Sequence, residues 1–167
     1  MVKNDYNVEN SVTKEVEVGS EISYTQILVD PVDGTKYRVK SMADGKFWLT
    51  ENFKREVGNA TWYGGNTKKD SIDHYVMGRL YNNSEVAQIG EVTLQSENGA
   101  AQFTFKVPTE NEWGALRDAY GGVTQAGAEL KYKEFSNNGN PNTTNASGFS
   151  AMLGGVGGDA GFESIGN

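Results

Sequence analysis

Hydrophobic and polar positions alternate through most of the first half of the chain, and the alternation predicts strands. EISYTQILVD, from Glu21, is followed by a turn at residues 31–34 and then by TKYRVKSM. Asp44-Gly45 separates TKYRVKSM from KFWLTENF, and Asp-Gly between alternating segments is a strong hairpin signal. EVTLQS and AQFTFKVP flank Glu97-Asn98-Gly99 and predict an inserted hairpin, with Phe103, Phe105 and Val107 on one face. Upstream, the VTKEVEVG run points Val16 and Val18 one way and Glu15 and Glu17 the other. Residues 1–20 therefore read as a strand-like arm suited to pack on a neighbour, and residues 21–167 as the domain proper.

The period changes in VPTENEWGALRDAYGG, residues 107–122. Thr109 and Glu112 have the spacing of a capping box, in which each side chain bonds the other residue's amide. Trp113, Leu116 and Tyr120 recur on one helical face, with Trp113 and Leu116 expected in the core, and Gly121 supplies the positive φ that ends the helix. A second short helix is expected over residues 84–89, with Ser84 as N-cap and Gly90 as its stop. Residues 54–74 are polar and rich in Gly and Asn, the composition of a long loop. Beyond Gly121 strong periodicity is lost.

The chain has 167 residues, long enough for a real core, and its 37% hydrophobic content with 21 glycines is near the globular norm. A net charge of -7 with scattered basic residues argues against tracking a phosphate backbone, so no nucleic-acid partner is expected. No cysteines are present, which removes disulfides, zinc thiolates and thiol catalysis, and with them a disulfide-bonded secreted lectin. MVKNDYNVENSV has no apolar core of a signal peptide, and no apolar run has transmembrane length. A protein made in a cytosol that leaves by assembly, as a virion protein does, fits; a chain whose leader was removed is the alternative.

Catalytic chemistry is poorly supplied. The single histidine, His74, lies in a polar loop, where a structural or solvated role is the common one. GGVGGDAG, residues 154–161, follows no clear strand and opens no helix, so it reads as a flexible turn rather than a dinucleotide loop. Glu110 and Glu112 lie in a first helical turn, where negative charge complements the helix dipole. No cofactor is expected. Calcium is the one cation that Asp70 with Asp73, or Asp159 with Glu163, could serve, although neither pair matches an EF-hand. Asn59, Asn82, Asn142 and Asn145 begin Asn-x-Ser/Thr triplets of the kind that recur by chance in Asn-rich loops. The aromatics carry more. Trp48 sits in a patterned strand and reads as core, whereas Trp62-Tyr63 lies in the loop NATWYGGN. Two readings of that pair stay open: contacts for a ligand or partner, or a plug that folds back into the protein's own core.

Four segments in order carry a resemblance. DGTKYRVKSMADGKFWLTENF (33–53), GRLYNN (78–83), FKVPTENEWGALRDAYGG (105–122) and AGAELK with NASGFSAMLGG (from 126 and 145) resemble the Fibrobacter succinogenes major paralogous domain. Asp33, Gly34, Tyr37, Val39, Trp48, Glu51 and Asn52 fall on its opening pattern. The resemblance covers roughly residues 30–167 and leaves the arm outside it. It implies an α+β, C-type-lectin-like fold, related to retroelement-diversified variable proteins and to formylglycine-generating enzymes. That fold has small twisted antiparallel sheets, two short helices and long loops. No catalytic set carries over, because the cysteines of formylglycine-generating enzymes have no counterpart.

The chain departs from the family pattern at GFESIGN, where members continue into further strands. The C-terminal strands of the family are absent, so the expectation is an incomplete sheet completed by a neighbouring subunit, a cleaved fragment or the chain's own arm. The functional expectation is a non-enzymatic binding or structural module at a virion surface, as a phage capsid decoration or host-attachment protein. Its partners would be other virion subunits or a cell-surface glycan or protein, with no membrane insertion, in an oligomer or strand-completed form. The alternative is a bacterial cell-surface or secreted adhesin domain. The expected contacts are Trp62 and Tyr63, with Asn138, Asn140 and Asn142 as polar contacts.

Overall fold

The computed structural model describes residues 25–62, 77–133 and 143–152, and the backbone of Val156–Gly158 and Gly161–Glu163. Its main element is a five-stranded antiparallel sheet of β1 (Thr25–Val29), β2 (Lys36–Ser41), β3 (Phe47–Leu49), β6 (Glu91–Ser96) and β7 (Gln102–Lys106). The spatial order is β3-β2-β1-β6-β7. β4 (Thr61–Trp62) with β5 (Arg79–Leu80), and β8 (Val156–Gly158) with β9 (Gly161–Glu163), form two-stranded ribbons. Three short helices are described: α1 (Asn83–Ile89), α2 (Glu110–Ala119) and α3 (Gly122–Leu130). The class is α+β.

The hairpins form where the turn chemistry places them. Asp30 and Asp33 accept from the amides two residues on, at 2.9 and 2.8 Å, and so close the β1–β2 turn. Asp44 repeats this on Lys46 at 3.1 Å between β2 and β3. Asn98 does the same for Ala100 between β6 and β7, at 3.0 Å. The β6–β7 hairpin is not an insertion beside the sheet. β6 pairs with β1 through Leu28↔Ser96 and Val29↔Gln95, which makes the hairpin two-fifths of the sheet. Alternation reports which residues share a face but not which strand lies alongside.

One sheet face carries the main core: Leu28, Tyr37, Val39, Val92, Leu94 and Phe103, all buried. The register explains the set, since Leu28 is opposite Tyr37, Leu94 opposite Phe103 and Val92 opposite Phe105. A second cluster gathers Met42, Trp48, Leu116 and Phe149. Trp48 alternates with Phe47 and Leu49, so it serves the second cluster while they pack on the first.

The helices correct three expectations. α1 is capped by Asn82, not Ser84: Asn82 Oδ1 accepts from the Glu85 amide at 3.0 Å, and Glu85 Oε2 from the Asn82 amide at 2.8 Å. An Asn-x-x-Glu box outcompetes an isolated serine, because two orphan donors are satisfied rather than one. α2 has its Thr109–Glu112 box, but Trp113 is 45% exposed while Leu116 is fully buried. The third helix, α3, was not expected at all. Gly121 (φ 87°) both ends α2 and starts α3, with no side-chain cap, and Gly122 and Gly127 lower helix propensity. α3 is held from outside. Its last carbonyls accept from the segment TNASGFSA, residues 144–151: Ala128 O from the Thr144 amide (2.9 Å), Glu129 O from Ser147 Oγ (2.6 Å) and Leu130 O from the Ala151 amide (2.8 Å). GGVGGDAG is also more than a turn, since Val156 and Gly161 open the two strands of the β8–β9 hairpin.

Candidate functional site

Among the described residues, the buried charged and phenolic groups are engaged in structure. Asp30 is fully buried and receives Arg55 through two bonds of 2.7 Å, Nε to Oδ2 and Nη2 to Oδ1. This contact raises the Arg55 pKa above its ordinary value. Glu51 accepts from Arg38 Nε and from the buried Lys54 Nζ, each at 2.6 Å. Tyr37 OH accepts from the Lys54 amide at 3.0 Å, and burial pushes the Tyr37 phenol well above its ordinary range. Tyr81 OH donates to Arg55 O at 2.8 Å, and burial raises that phenol likewise. Glu85 Oε1 accepts from the Asn59 amide at 2.9 Å, which ties α1 to the preceding loop. Asn52 donates to Met77 O at 2.7 Å, and a Cβ at Gly78 would lie 2.7 Å from the Asn52 Cβ, so only glycine fits beneath it. These contacts pin residues 50–60 to residues 77–85.

Trp62 belongs to this locked region. It pairs with Arg79 across the β4–β5 ribbon and is 8% exposed, with the Arg79 guanidinium 4.4 Å from its ring centroid. Arg79 also donates to Ala60 O at 2.6 Å and reaches Glu56 at 2.8 Å. The described geometry of Trp62 is the packed one, not an exposed loop contact. Tyr63, Asn138, Asn140 and Asn142 lie outside the described residues, as do His74, Asp70, Asp73 and Asp159. Asn145, another of the Asn-x-Ser/Thr asparagines, exchanges two 2.9 Å bonds with Ser150 and shapes its own loop. Among the described residues no three His, Asp or Glu gather into a metal-binding group.

The open surface is elsewhere, and it is apolar. A groove of about 470 Å³ is lined by residues 46–53, by 105–108, by Glu112 and Trp113 of α2, by 149–152 and by the side of α1. Side chains of a strand alternate between faces, so an unbroken run of lining residues means that the groove follows the strand's edge. The long run 46–53 contains β3, one edge strand of the sheet; the run 105–108 takes in only Phe105 and Lys106, the last two residues of the other edge strand, β7. The antiparallel sheet is curled, and β3 and the end of β7 both contribute to the groove.

The hydrogen-bond ladder shows what those edges present. The Thr50 amide donates to Arg38 O and the Met42 amide to Lys46 O, each at 2.9 Å. Phe47 and Leu49 therefore occupy the alternate, non-bonded pairs with Ser41 and Val39, and their peptide groups face away from β2. The Ser96 amide donates to Ala101 O at 2.9 Å, so by the same alternation Gln102, Thr104 and Lys106 face away from β6. Among the described residues nothing hydrogen-bonds to these outward groups.

The walls are aromatic. Trp48 and Trp113 lie 4.9 Å apart, centroid to centroid, and Phe149 stands edge-on to both at 5.9 Å. Trp48 Nε1 donates to Asp44 at 2.9 Å, which sets its ring. Glu112 closes one end of the groove. Its Oε1 takes Lys46 from beside β3 at 3.0 Å and Lys106 from β7 at 3.4 Å, while Oε2 accepts the Thr109 amide at 2.8 Å. The Thr109 amide first, then Lys46, the Thr109 hydroxyl and Lys106, hold the Glu112 carboxyl down to about 2. One capping carboxylate thus spans both sheet edges. Reading residue by residue missed Phe47, Leu49, Phe105 and Phe149 as wall residues. For Phe47 and Leu49 the signal that could have found them is the unbroken apolar run Phe47-Trp48-Leu49, which no strand buried on one face requires; Phe105 and Phe149 carry no such local signal. Comparison of the chain with protein-family models, with curated proteins and with solved structures gives no match.

Proposed function

We propose that the chain is a non-enzymatic binding module with a C-type-lectin-like core, acting at a virion surface as a decoration or attachment protein. Its working surface is the aromatic groove, which takes an extended apolar segment of a neighbouring virion protein as an added strand. The observation that carries this reading is the edge strand β3 along the groove: the outward peptide groups of Phe47 and Leu49 have no partner among the described residues, and the walls beside them are apolar. Strand addition answers both needs, since main-chain bonds supply affinity and alternate side chains enter the apolar wall. The engagement of the described charged residues in caps and ion pairs supports a role in binding rather than turnover. The ordered resemblance of four segments supports the lectin-like core.

The test is density-gradient fractionation of a native lysate, followed by binding of the purified chain to the recovered particles. Cofractionation is expected, with affinity about tenfold weaker for Trp113→Ala, the loss of about 1.4 kcal/mol. Trp113 is half exposed, so the variant keeps its core. Binding to a glycan array that Trp113→Ala leaves unchanged, with no particle association, would overturn the reading.

A further inference from the structure

We propose that the partner segment taken up along β3 is apolar in its middle and acidic at both ends, so that its carboxylates meet the cations at the two ends of that strand. This rests on the reading that the β3 edge accepts an added strand, and it gives that strand its chemistry.

The ion pairs at the groove share one pattern. At one end of β3, Glu112 Oε1 takes both Lys46 (3.0 Å) and Lys106 (3.4 Å). At the other, Glu51 takes both Arg38 and Lys54, each at 2.6 Å. Four cations therefore stand on two carboxylates, and each end keeps an uncompensated positive charge. The chain as a whole carries -7, so this network is a cationic exception on an acidic molecule. At physiological ionic strength charges are screened over about 8 Å, so remote acids count for little beside groups in contact. Asp44 and Glu91 stand nearer, but neither lines the groove. Asp44 is also taken up by the Trp48 indole and the Lys46 amide.

The cations have donors to spare. Glu112 is saturated, because its Oε2 already accepts the Thr109 amide and hydroxyl at 2.8 and 2.9 Å. An ammonium brings three donors, and among the described residues Lys46 and Lys106 each meet only this one carboxylate. Arg38 likewise bonds Glu51 through Nε alone. These three side chains are 46%, 58% and 62% exposed, so an incoming group can reach them.

Between those ends the strand offers nothing ionic. Phe47, Trp48, Leu49 and Thr50 separate Lys46 from Glu51, a span of about 17 Å at ~3.3 Å per residue. An added strand of matching length thus lays apolar side chains against the wall and brings its ends to the spare donors. A neutral segment would leave those donors to water, and a basic one would meet like charge.

The probes are three end-blocked peptides that alternate valine and threonine over five residues and carry glutamate, glutamine or lysine at both ends. Each is titrated into the full chain at about 0.15 M salt. Affinity is read from the amide signal of Leu49, whose peptide group faces away from β2. The glutamate peptide should bind about fivefold more tightly than the glutamine one, with the lysine peptide weakest. Lys106→Gln, or about 1 M salt, should narrow that gap. Equal affinities for the glutamate and glutamine peptides, or a tighter lysine peptide, would overturn the proposal while leaving β3 a strand acceptor. A glutamate preference that both Lys106→Gln and salt leave intact would overturn it as well, since the contact would lie elsewhere. If none of the three peptides shifts Leu49, the strand-acceptor reading falls with it.

Discussion

Two regions of the molecule divide the work. Residues 50–60 and 77–85, with Asp30 of the β1–β2 turn, hold the buried charge of the described residues, and each of these groups meets a partner: Asp30 with Arg55, Glu51 with Lys54, Glu85 with two amides. The groove between β3 and β7 has the opposite character, with aromatic walls and backbone groups that nothing described takes up. The lesson is where to look for function when the described charged groups are taken up by structure. In the first region polar chemistry is spent on rigidity; in the second, unsatisfied valence and apolar area remain open.

The contrast can be broken most forcefully at Arg55. Arg55→Ala leaves the Asp30 carboxylate buried without its ion pair, and a loss of about 3–5 kcal/mol is expected in urea unfolding. A shift within ordinary surface-mutant scatter would mean that the locked region is not locked. Trp113→Ala should behave the other way, with stability changed by less than about 1 kcal/mol because the ring is 45% exposed. Its effect belongs on binding. An unfolding midpoint lowered as far as by Arg55→Ala would merge the two regions into one.

The cap of α1 gives a finer test. Asn82→Ala should cost about 1 kcal/mol and Ser84→Ala close to nothing, read by thermal unfolding of each variant. Equal costs would return the cap to Ser84. The smallest expected effect is the acid dependence of Glu112. Its folded pKa is depressed, so its contribution is fully present above about 4.5 and is lost as pH falls towards about 2. Glu112→Gln should flatten that part of the stability profile. It should also loosen the link between Lys46 and Lys106, seen as faster amide exchange at the two sheet edges. An unchanged profile between pH 4.5 and 2 would remove Glu112 from that role.

Legibility followed the range of the interactions. The β1–β2, β2–β3 and β6–β7 hairpins were readable because Asp30, Asp44 and Asn98 bond amides two residues away. The α2 cap was readable because Thr109 and Glu112 are three apart. α3 was not, since its carbonyls are satisfied by residues 144–151, and its own sequence, GVTQAGAEL, carries no cap. Trp62 left two readings open from sequence, and only its pairing with Arg79 placed its ring beneath a guanidinium. The groove walls were named in part, through Trp48 and Trp113, but as core residues rather than as a surface.

By itself the sequence determined the local devices: which segments alternate, where the turns fall, and how α2 begins and ends. Each rests on contacts within four residues and so survives without knowledge of the rest. Only the tertiary structure decided that β3 and the end of β7 line one groove, that Trp113 stays half open beside Trp48, and that Glu112 joins Lys46 to Lys106. The physical reason is sheet curl. Edges far apart in sequence become neighbours through twist and register accumulated across all five strands, and no single strand's pattern encodes that sum.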